Sequence, residues 1–180
     1  GFVNVEYDDL EAIRQATKKK TCAVMLEPVQ GEAGVIVPSE GYLKAVREWC
    51  DEQGLLLIFD EVQTGFGRLG TLFGYEAFGV EPDVMSLAKA LGGGVPIGAF
   101  MAKEQYCVLE PGDHGSTFGG NVLACAAAYA STRYIVDNDI PARAAESGAY
   151  LKRQLEGLRS HEPSIVDVRG MGLLLAVEFS

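Results

Sequence analysis

The sequence predicts an α/β protein with a mainly parallel β-sheet, followed by the beginning of a smaller α+β unit. Along residues 1–137, short continuous apolar segments alternate with segments of helical periodicity, which is typical of parallel strands connected by helices. After that point, a polar helical segment precedes two strand-like segments. We therefore expect two units, residues 1–137 and residues 138–180, with the boundary at the polar segment DNDIP.

Helices are predicted where apolar residues recur every three or four positions, at residues 8–19, 40–53, 121–137 and 141–159. In the first of these, Asp8 followed by Glu11 resembles a capping box. Ser39 is expected to cap the second helix, and Gly54 to end it.

Strands are predicted where short apolar runs are bounded by turn residues, at residues 22–26, 55–59, 84–87, 98–102 and, as two segments, within 165–179. The run Leu55–Phe59 is continuous in apolar character and follows a helix that ends at a glycine. Such a strand is typical of a sheet that is covered on both faces.

The composition favours a globular protein that does not bind nucleic acid or membranes. The chain has 180 residues, of which 48% are hydrophobic, and this is enough for a buried core. Its formal net charge of −10 disfavours contact with phosphate backbones and anionic lipid surfaces. The longest apolar runs are too short to span a bilayer.

The four cysteines, at positions 22, 50, 107 and 125, include no C-x-x-C pair. Because most of them lie in apolar segments, we expect buried, unpaired thiols in a reducing compartment, and so a cytoplasmic location, rather than disulfides or zinc ligands. His114 and His161 lie far apart in the sequence, which also argues against a metal site.

Asp60 and Glu61 directly follow the strand 55–59. Ligands of open parallel sheets bind beyond the carboxyl ends of the strands, so Asp60 is expected to face a pocket, although a helix cap or a solvated loop acid is an open alternative. The segment GFGRLG at 65–70 matches G-x-G-x-x-G. A nicotinamide-binding fingerprint would follow the strand directly and open a helix, and here five residues intervene, so this match carries little weight.

Lys89 follows the strand 84–87 and precedes three consecutive glycines. Its apolar neighbours favour a desolvated lysine over a surface lysine, and a desolvated lysine can react with an aldehyde. If strands 55–59 and 84–87 share the sheet, Asp60 and Lys89 converge at one edge. An acid for a ring nitrogen and a lysine for an aldehyde are the requirements of a pyridoxal phosphate site.

The sequence also resembles the class III (ω-type) pyridoxal-phosphate aminotransferases, most of all their acetylornithine/ornithine branch. Successive motifs occur in the order of that family: EPVQGEAGV, LLIFDEVQTGFGR, SLAKALGGGVPIGA, HGSTFGGNVLACAAA and VRGMGLLLAVEF. The 29-residue interval from Asp60 to Lys89 also agrees with the family pattern. The resemblance implies the fold-type I large domain for residues 1–137 and the beginning of the C-terminal small domain for residues 138–180.

The resemblance implies that four residues bind the cofactor ring. Lys89 would bind the cofactor aldehyde covalently and, once released, would act as the proton-transferring base. Asp60 would pair with the pyridine nitrogen and keep it protonated, because an adjacent carboxylate favours the charged form. Gln63 would donate a hydrogen bond to the phenolic oxygen of the ring, and Val62 would pack on a ring face.

Three further residues are implied outside the ring. Thr117, with Ser116 beside it, would bind the cofactor phosphate of the partner subunit in a homodimer that shares its active sites. Glu32 would lie near the substrate and pair with an arginine that this chain does not contain. Glu61 is left out of the expected site, because a structural role explains a buried acid equally well.

The implied activity is transfer of an amino group from a basic or ω-amino acid donor to the 2-oxo acid 2-oxoglutarate, in ping-pong half-reactions. The alternatives are a γ-aminobutyrate- or diamine-type transaminase, a glutamate-semialdehyde-type aminomutase, or a truncated, non-catalytic domain. Gln63 favours a transaminase, because the aminomutase branch usually departs from Gln there. The family's phosphate turn, ring-stacking aromatic residue and carboxylate-binding arginines have no counterpart here, so we expect part of a longer protein.

Overall fold

The computed structural model describes residues 1–180, which form two separate β-sheets. The first sheet has the strand order β1 (Ala23–Leu26), β2 (Leu56–Asp60), β3 (Val84–Leu87) and β4 (Ala99–Ala102). Strands β1, β2 and β3 are parallel, and β4 is antiparallel to β3. The second sheet is the antiparallel hairpin of β5 (Ile165–Met171) and β6 (Leu174–Phe179). The predicted α/β class with a mainly parallel sheet is therefore confirmed.

Five α-helices accompany the strands: α1 (Leu10–Ala16), α2 (Tyr42–Gln53), α3 (Gly74–Phe78), α4 (Val122–Asp137) and α5 (Ile140–Arg159). Short 3₁₀ turns follow β3, at Lys89–Gly92, and β4, at Glu104–Tyr106. Only α3 was not expected, because its segment has no amphipathic periodicity. None of the helices combines the length and the apolar character that crossing a membrane requires.

Helices α1, α2 and α4 cover one face of the four-stranded sheet. Leu57 and Phe59 of β2 are fully buried in a cluster with α1 and α2, and Met85 of β3 packs with α4. The opposite face exposes Met25 to 52% and Phe100 to 60%. Burial therefore alternates along β2 and β3, and the expectation that both faces are covered is not met by these 180 residues.

Two predicted helix caps are wrong. Asp9 rather than Asp8 caps α1, and its carboxylate accepts a hydrogen bond of 2.9 Å from the first turn of the helix. Asp8 instead accepts hydrogen bonds from the N–H group and the hydroxyl of Ser39, at 3.0 and 2.8 Å. Ser39 thus joins two loops, and Gly41 stands at the start of α2. Gly54 ends α2 as predicted, in a left-handed conformation with φ of 66°.

The expectation of buried cysteines is wrong for three of the four. Cys50 is buried in α2, whereas Cys22, Cys107 and Cys125 are exposed, and all four thiols are unpaired. Cys22 lies just before the edge strand β1, and Cys125 lies on a side of α4 that no other element of the chain covers. Apolar character in the sequence did not distinguish these positions from the core.

A buried acid joins the helical layer to the sheet. The carboxylate of Asp83 accepts hydrogen bonds from the N–H group of Leu57 at 2.9 Å, from Arg47 at 2.8 Å and from Lys103 at 3.3 Å. Burial alone would raise the pKa of Asp83, but these donors outweigh burial and hold its pKa below the ordinary value. Asp83 therefore stays ionised and connects α2, β2 and the segment after β4.

Candidate active site

The ends of β2 and β3 lie side by side. Asp60 is the register partner of Ser86, and the ladder continues through a 3.0 Å hydrogen bond from the N–H group of Glu61 to the carbonyl of Ser86. The 3₁₀ turn that begins at Lys89 follows β3 directly. The parallel register therefore brings Asp60 and Lys89 to the same edge of the sheet.

A cavity of about 240 Å³ lies at this edge, and it is lined by Val62, Gln63, Gly65, Arg68, Lys89, Ala90, Leu173 and Leu174. Three of the predicted site residues, Lys89, Gln63 and Val62, thus line one cavity. Asp60, at the end of β2, is not among its lining residues. Leu173 and Leu174 come from the turn of the β5–β6 hairpin, so both sheets contribute to the cavity.

Lys89 has an unusual backbone and an uncommitted side chain. Its φ of 45° lies in the left-handed region, which costs free energy for a residue with a Cβ atom. Its amine makes no hydrogen bond or salt bridge within the chain, unlike Lys103, which pairs with Glu81 and Asp83 at 3.3 Å. The expected desolvation of Lys89 is not found, since its side chain is exposed.

Asp60 is half-buried, and its Oδ1 atom accepts a hydrogen bond of 2.9 Å from the N–H group of Val62. This bond fixes the direction in which the chain leaves β2. The neighbouring Ser86 has a buried hydroxyl without a hydrogen-bond partner. An unpartnered polar atom beside a carboxylate is costly unless a bound group satisfies it.

Gln63 and Glu32, which are distant in the sequence, meet at the cavity. The Nε2 atom of Gln63 donates a hydrogen bond of 2.8 Å to Oε1 of Glu32. The Gln63 amide lies over Gly31, where any side chain would collide with it. The carboxylate of Glu27 accepts a hydrogen bond of 2.9 Å from the Gly31 N–H group and so holds this loop in place. Glycine at position 31 therefore leaves room for the Gln63 amide in this position, and a larger residue would displace it.

Ser116 and Thr117 do not belong to this cavity. They lie in the exposed loop between the second 3₁₀ turn and α4, where the Ser116 hydroxyl accepts a hydrogen bond of 3.0 Å from the Gly119 N–H group. Asn121 ends the loop and caps α4 through a 2.9 Å hydrogen bond. The chain therefore presents two separate groups of expected site residues.

Glu61, which we left out of the expected site, organises the turn that carries Val62 and Gln63. Its side chain is 1% exposed and accepts hydrogen bonds from the hydroxyl of Thr64 and from the N–H groups of Gly74 and Tyr75, the latter two at 2.8 Å. Burial raises the pKa of Glu61, and the three donors oppose that shift. Glu61 thus holds the start of α3 against the end of β2, which explains why α3 forms.

The segment GFGRLG does not have the geometry of a dinucleotide site. Residues 62–73 form successive turns, and no helix begins at these glycines. The nicotinamide interpretation therefore lacks the structure that it requires. No group of His, Cys, Asp or Glu side chains in the chain is arranged to hold a metal ion.

The residues around the cavity suit a ring that carries an aldehyde and a basic nitrogen. Lys89 offers an amine without an internal counterion, Asp60 offers a carboxylate at the neighbouring strand end, and Gln63 offers an amide. The unpartnered Ser86 hydroxyl beside Asp60 is a further sign that this strand end faces a bound polar group.

Comparisons with known proteins identify relatives of the whole chain. Residues 4–180 match the family model described as aminotransferase class-III. The chain is 50% identical to the acetylornithine aminotransferase of Methanothermobacter thermautotrophicus over 99% of its length, and 53% identical to ornithine aminotransferase 2 of Staphylococcus aureus over 100%. In each case it covers 46% of the relative, so it spans less than half of their length.

Solved structures show the same fold. The chain superposes on the ornithine delta-aminotransferase of Plasmodium falciparum with a TM-score of 0.93 and 43% identity, covering 99% of this chain and 47% of that one. The acetylornithine aminotransferase of Elizabethkingia anophelis gives a TM-score of 0.93 at 41% identity, with coverage of 98% and 47%. The predicted fold-type I architecture is therefore confirmed.

We predict that Glu61→Gln destabilises the turn 61–73. An amide has one acceptor oxygen instead of two and turns an N–H group towards backbone donors, so we expect a loss of about 1–3 kcal/mol in the free energy of unfolding. Urea-induced unfolding followed by circular dichroism measures this loss. The control is Glu76→Gln, the same change at the start of the same helix, where the carboxylate accepts a single exposed hydrogen bond of 3.1 Å that an amide oxygen can still accept. Equal stability of the two variants would contradict the role of Glu61.

Proposed function

The chain belongs to the class-III aminotransferase family, and we propose that the full-length protein transfers an amino group from a basic or ω-amino acid to 2-oxoglutarate with pyridoxal phosphate as cofactor. The half-reactions follow one another in a ping-pong order. The observation that carries the proposal is the uncommitted Lys89 in the cavity that Gln63 also lines, at a strand end next to Asp60. The acetylornithine and ornithine aminotransferases among the relatives support a donor of this type.

We propose that this chain binds the cofactor ring through Lys89, Asp60, Gln63 and Val62. Lys89 binds the aldehyde, and Asp60 holds a proton on the ring nitrogen, since a nearby carboxylate favours the charged form. Glu32 accepts one N–H of Gln63 at 2.8 Å, so the amide has a second N–H to offer the phenolic oxygen. Val62 supplies an apolar surface for a ring face.

When bound, pyridoxal phosphate would supply an aldehyde carbon that takes up the amino group while the aldehyde oxygen leaves as water, and a ring that takes up electron density from the substrate. The chain's own residues then manage protons. The amine of Lys89, once released, would accept a proton from the substrate carbon at its Nζ atom and deliver that proton to a different carbon. Its uncommitted state suits this task, because no internal partner has to be given up. Leu173 and Leu174 exclude water from one side of the cavity.

Gln63 favours a transaminase over an aminomutase within the family.

The separation of the two sheets supports a division of the chain into the large domain at residues 1–137 and the start of the small domain at residues 138–180. The exposed, unpaired thiols at Cys22, Cys107 and Cys125 support a reducing, cytoplasmic location.

We further propose a homodimer in which Thr117, with Ser116, binds the phosphate of the partner's cofactor. The support is geometric, since this loop is exposed and lies apart from the cavity that Lys89 lines. Open space at Gly115 and Gly120 leaves the loop backbone accessible to a phosphate. Such a site is complete only when two subunits meet.

Lys89→Ala in the full-length protein is expected to abolish transamination between ornithine or acetylornithine and 2-oxoglutarate, because the reacting amine is removed. The matched control is Lys44→Ala, at an exposed position on α2, which is expected to leave the rate unchanged. Glutamate formation measures the activity. Turnover by Lys89→Ala at the wild-type rate would contradict the proposal, and an inactive wild type with bound cofactor would favour a non-catalytic role.

Thr117→Ala in the full-length protein is expected to weaken cofactor affinity about tenfold or more, the typical cost of a lost hydrogen bond to a charged group. Thr117→Ser keeps the hydroxyl and should retain most of the affinity. Fluorescence titration with pyridoxal phosphate measures the affinity, and analytical ultracentrifugation measures assembly. A fully active monomer would contradict the shared site.

A further inference from the structure

We propose that Arg68 forms an anion-binding subsite of the cavity and binds a carboxylate group of the amino acid and 2-oxo acid substrates. Arg68 lines the same cavity as Lys89 and Gln63, although no motif of the sequence indicated a role for it. The inference rests on the proposed function, because that function brings carboxylate substrates to Lys89.

The local chain holds Arg68 in a defined place. Among the residues from Thr64 to Leu69, Arg68 alone is exposed and all the others are buried. Phe66 on one side packs with β3 and α4, and Leu69 on the other packs in a cluster with Val29. These buried neighbours fix the backbone of Arg68 at the cavity.

The hairpin turn fixes the Arg68 backbone from the other side. The N–H group of Leu173 donates a hydrogen bond of 2.9 Å to the Arg68 carbonyl. At Gly172 an added Cβ would lie 2.5 Å from that carbonyl, so only glycine allows this approach. The glycines of the GFGRLG segment thus serve the packing of this turn, with left-handed conformations at Gly67 and Gly70.

The guanidinium of Arg68 has no counterion within the chain. Five other arginines form salt bridges, namely Arg14, Arg47, Arg133, Arg159 and Arg169. Near the cavity, the acids are already engaged. Asp60 accepts from Val62, Glu32 accepts from Gln63, and Glu61 accepts from three donors.

The cavity therefore presents two cations and no acid among its lining residues, in a chain with a net charge of −10. Such a local reversal of charge attracts an anion, and low-dielectric surroundings strengthen the attraction. Leu173 and Leu174 form an apolar wall beside Arg68.

The chemistry of the guanidinium selects a planar anion. Arginine offers a fork of N–H donors that matches a carboxylate with two parallel hydrogen bonds. Both substrates of the proposed reaction carry a carboxylate, and the cofactor carries a phosphate. We assign the substrate carboxylate, because Lys89 in the same cavity marks where substrate reacts, while Thr117 is proposed to bind the phosphate.

The test compares Arg68→Gln and Arg68→Lys with the control Arg153→Gln in the full-length enzyme with bound cofactor. Arg153 is exposed on α5 and makes no salt bridge or hydrogen bond, so it matches the lost charge without touching the cavity. Arg68→Gln is expected to raise KM for the amino donor or for 2-oxoglutarate about 10- to 100-fold, as for a lost charge-assisted hydrogen bond. Arg68→Lys should restore part of the loss, and the control Arg153→Gln should leave both KM values unchanged.

Two further measurements separate the possible sources of the anion. In the donor half-reaction, measured on the enzyme with bound cofactor and without 2-oxoglutarate, a diamine that lacks the donor's carboxylate should react equally well with wild type and Arg68→Gln, and pyridoxal phosphate should bind both with equal affinity. An unchanged KM for both carboxylate substrates would overturn the proposal. Equal slowing of the diamine reaction would also overturn it and indicate a structural role, and a selective fall in cofactor affinity would assign Arg68 to the phosphate instead.

The affinity of the wild type and of Arg68→Gln for glutarate, an inert dicarboxylate, is measured by calorimetry. This measurement does not depend on the proposed function. If the wild type binds glutarate and Arg68→Gln binds it at least tenfold more weakly, the anion subsite stands even when no transaminase activity is found. If glutarate binds both proteins equally, the subsite is refuted while the transaminase proposal is untouched. Circular dichroism spectra of the variants confirm that they are folded.

Discussion

The parallel pairing of β2 with β3 is the constraint on which the rest of the site depends. Because Asp60 lies in register with Ser86, the two chain segments that leave these strands start from the same edge. One segment carries Val62 and Gln63, and the other begins at Lys89. A shift of the register by one residue would turn the Asp60 side chain to the other face of the sheet, where the helices pack.

Buried contacts position the segments after these strands so that they line a cavity. Glu61 holds the turn after β2 against α3. The carbonyl of Arg68 in this turn then accepts a hydrogen bond from Leu173 of the β5–β6 hairpin. Leu173 and Leu174 then line the cavity from the second sheet. The β5–β6 hairpin therefore forms part of the surroundings of Lys89, although it belongs to a separate sheet.

The sequence alone could predict the strands, the long helices and the position of Asp60 and Lys89 at one edge of the sheet, because continuous apolar runs and parallel topology determine them. It could not predict the N-terminal cap of α1, since Asp8 and Asp9 are equally suited in sequence and only the contact with Ser39 separates them. Glu61 was missed because its partners Gly74 and Tyr75 form no helical pattern. The exposure of Lys89 was also missed, because apolar neighbours in sequence do not guarantee a covered side chain.

The central claim is that Asp60 and Lys89 hold one cofactor from adjacent strand ends. A crystal structure of the full-length protein with pyridoxal phosphate tests it most directly. We predict continuous density between the Nζ atom of Lys89 and the cofactor, with the Asp60 carboxylate at about 2.7–2.9 Å from the ring nitrogen. Density that joins the cofactor to another lysine, or a ring nitrogen without a carboxylate partner, would contradict the account.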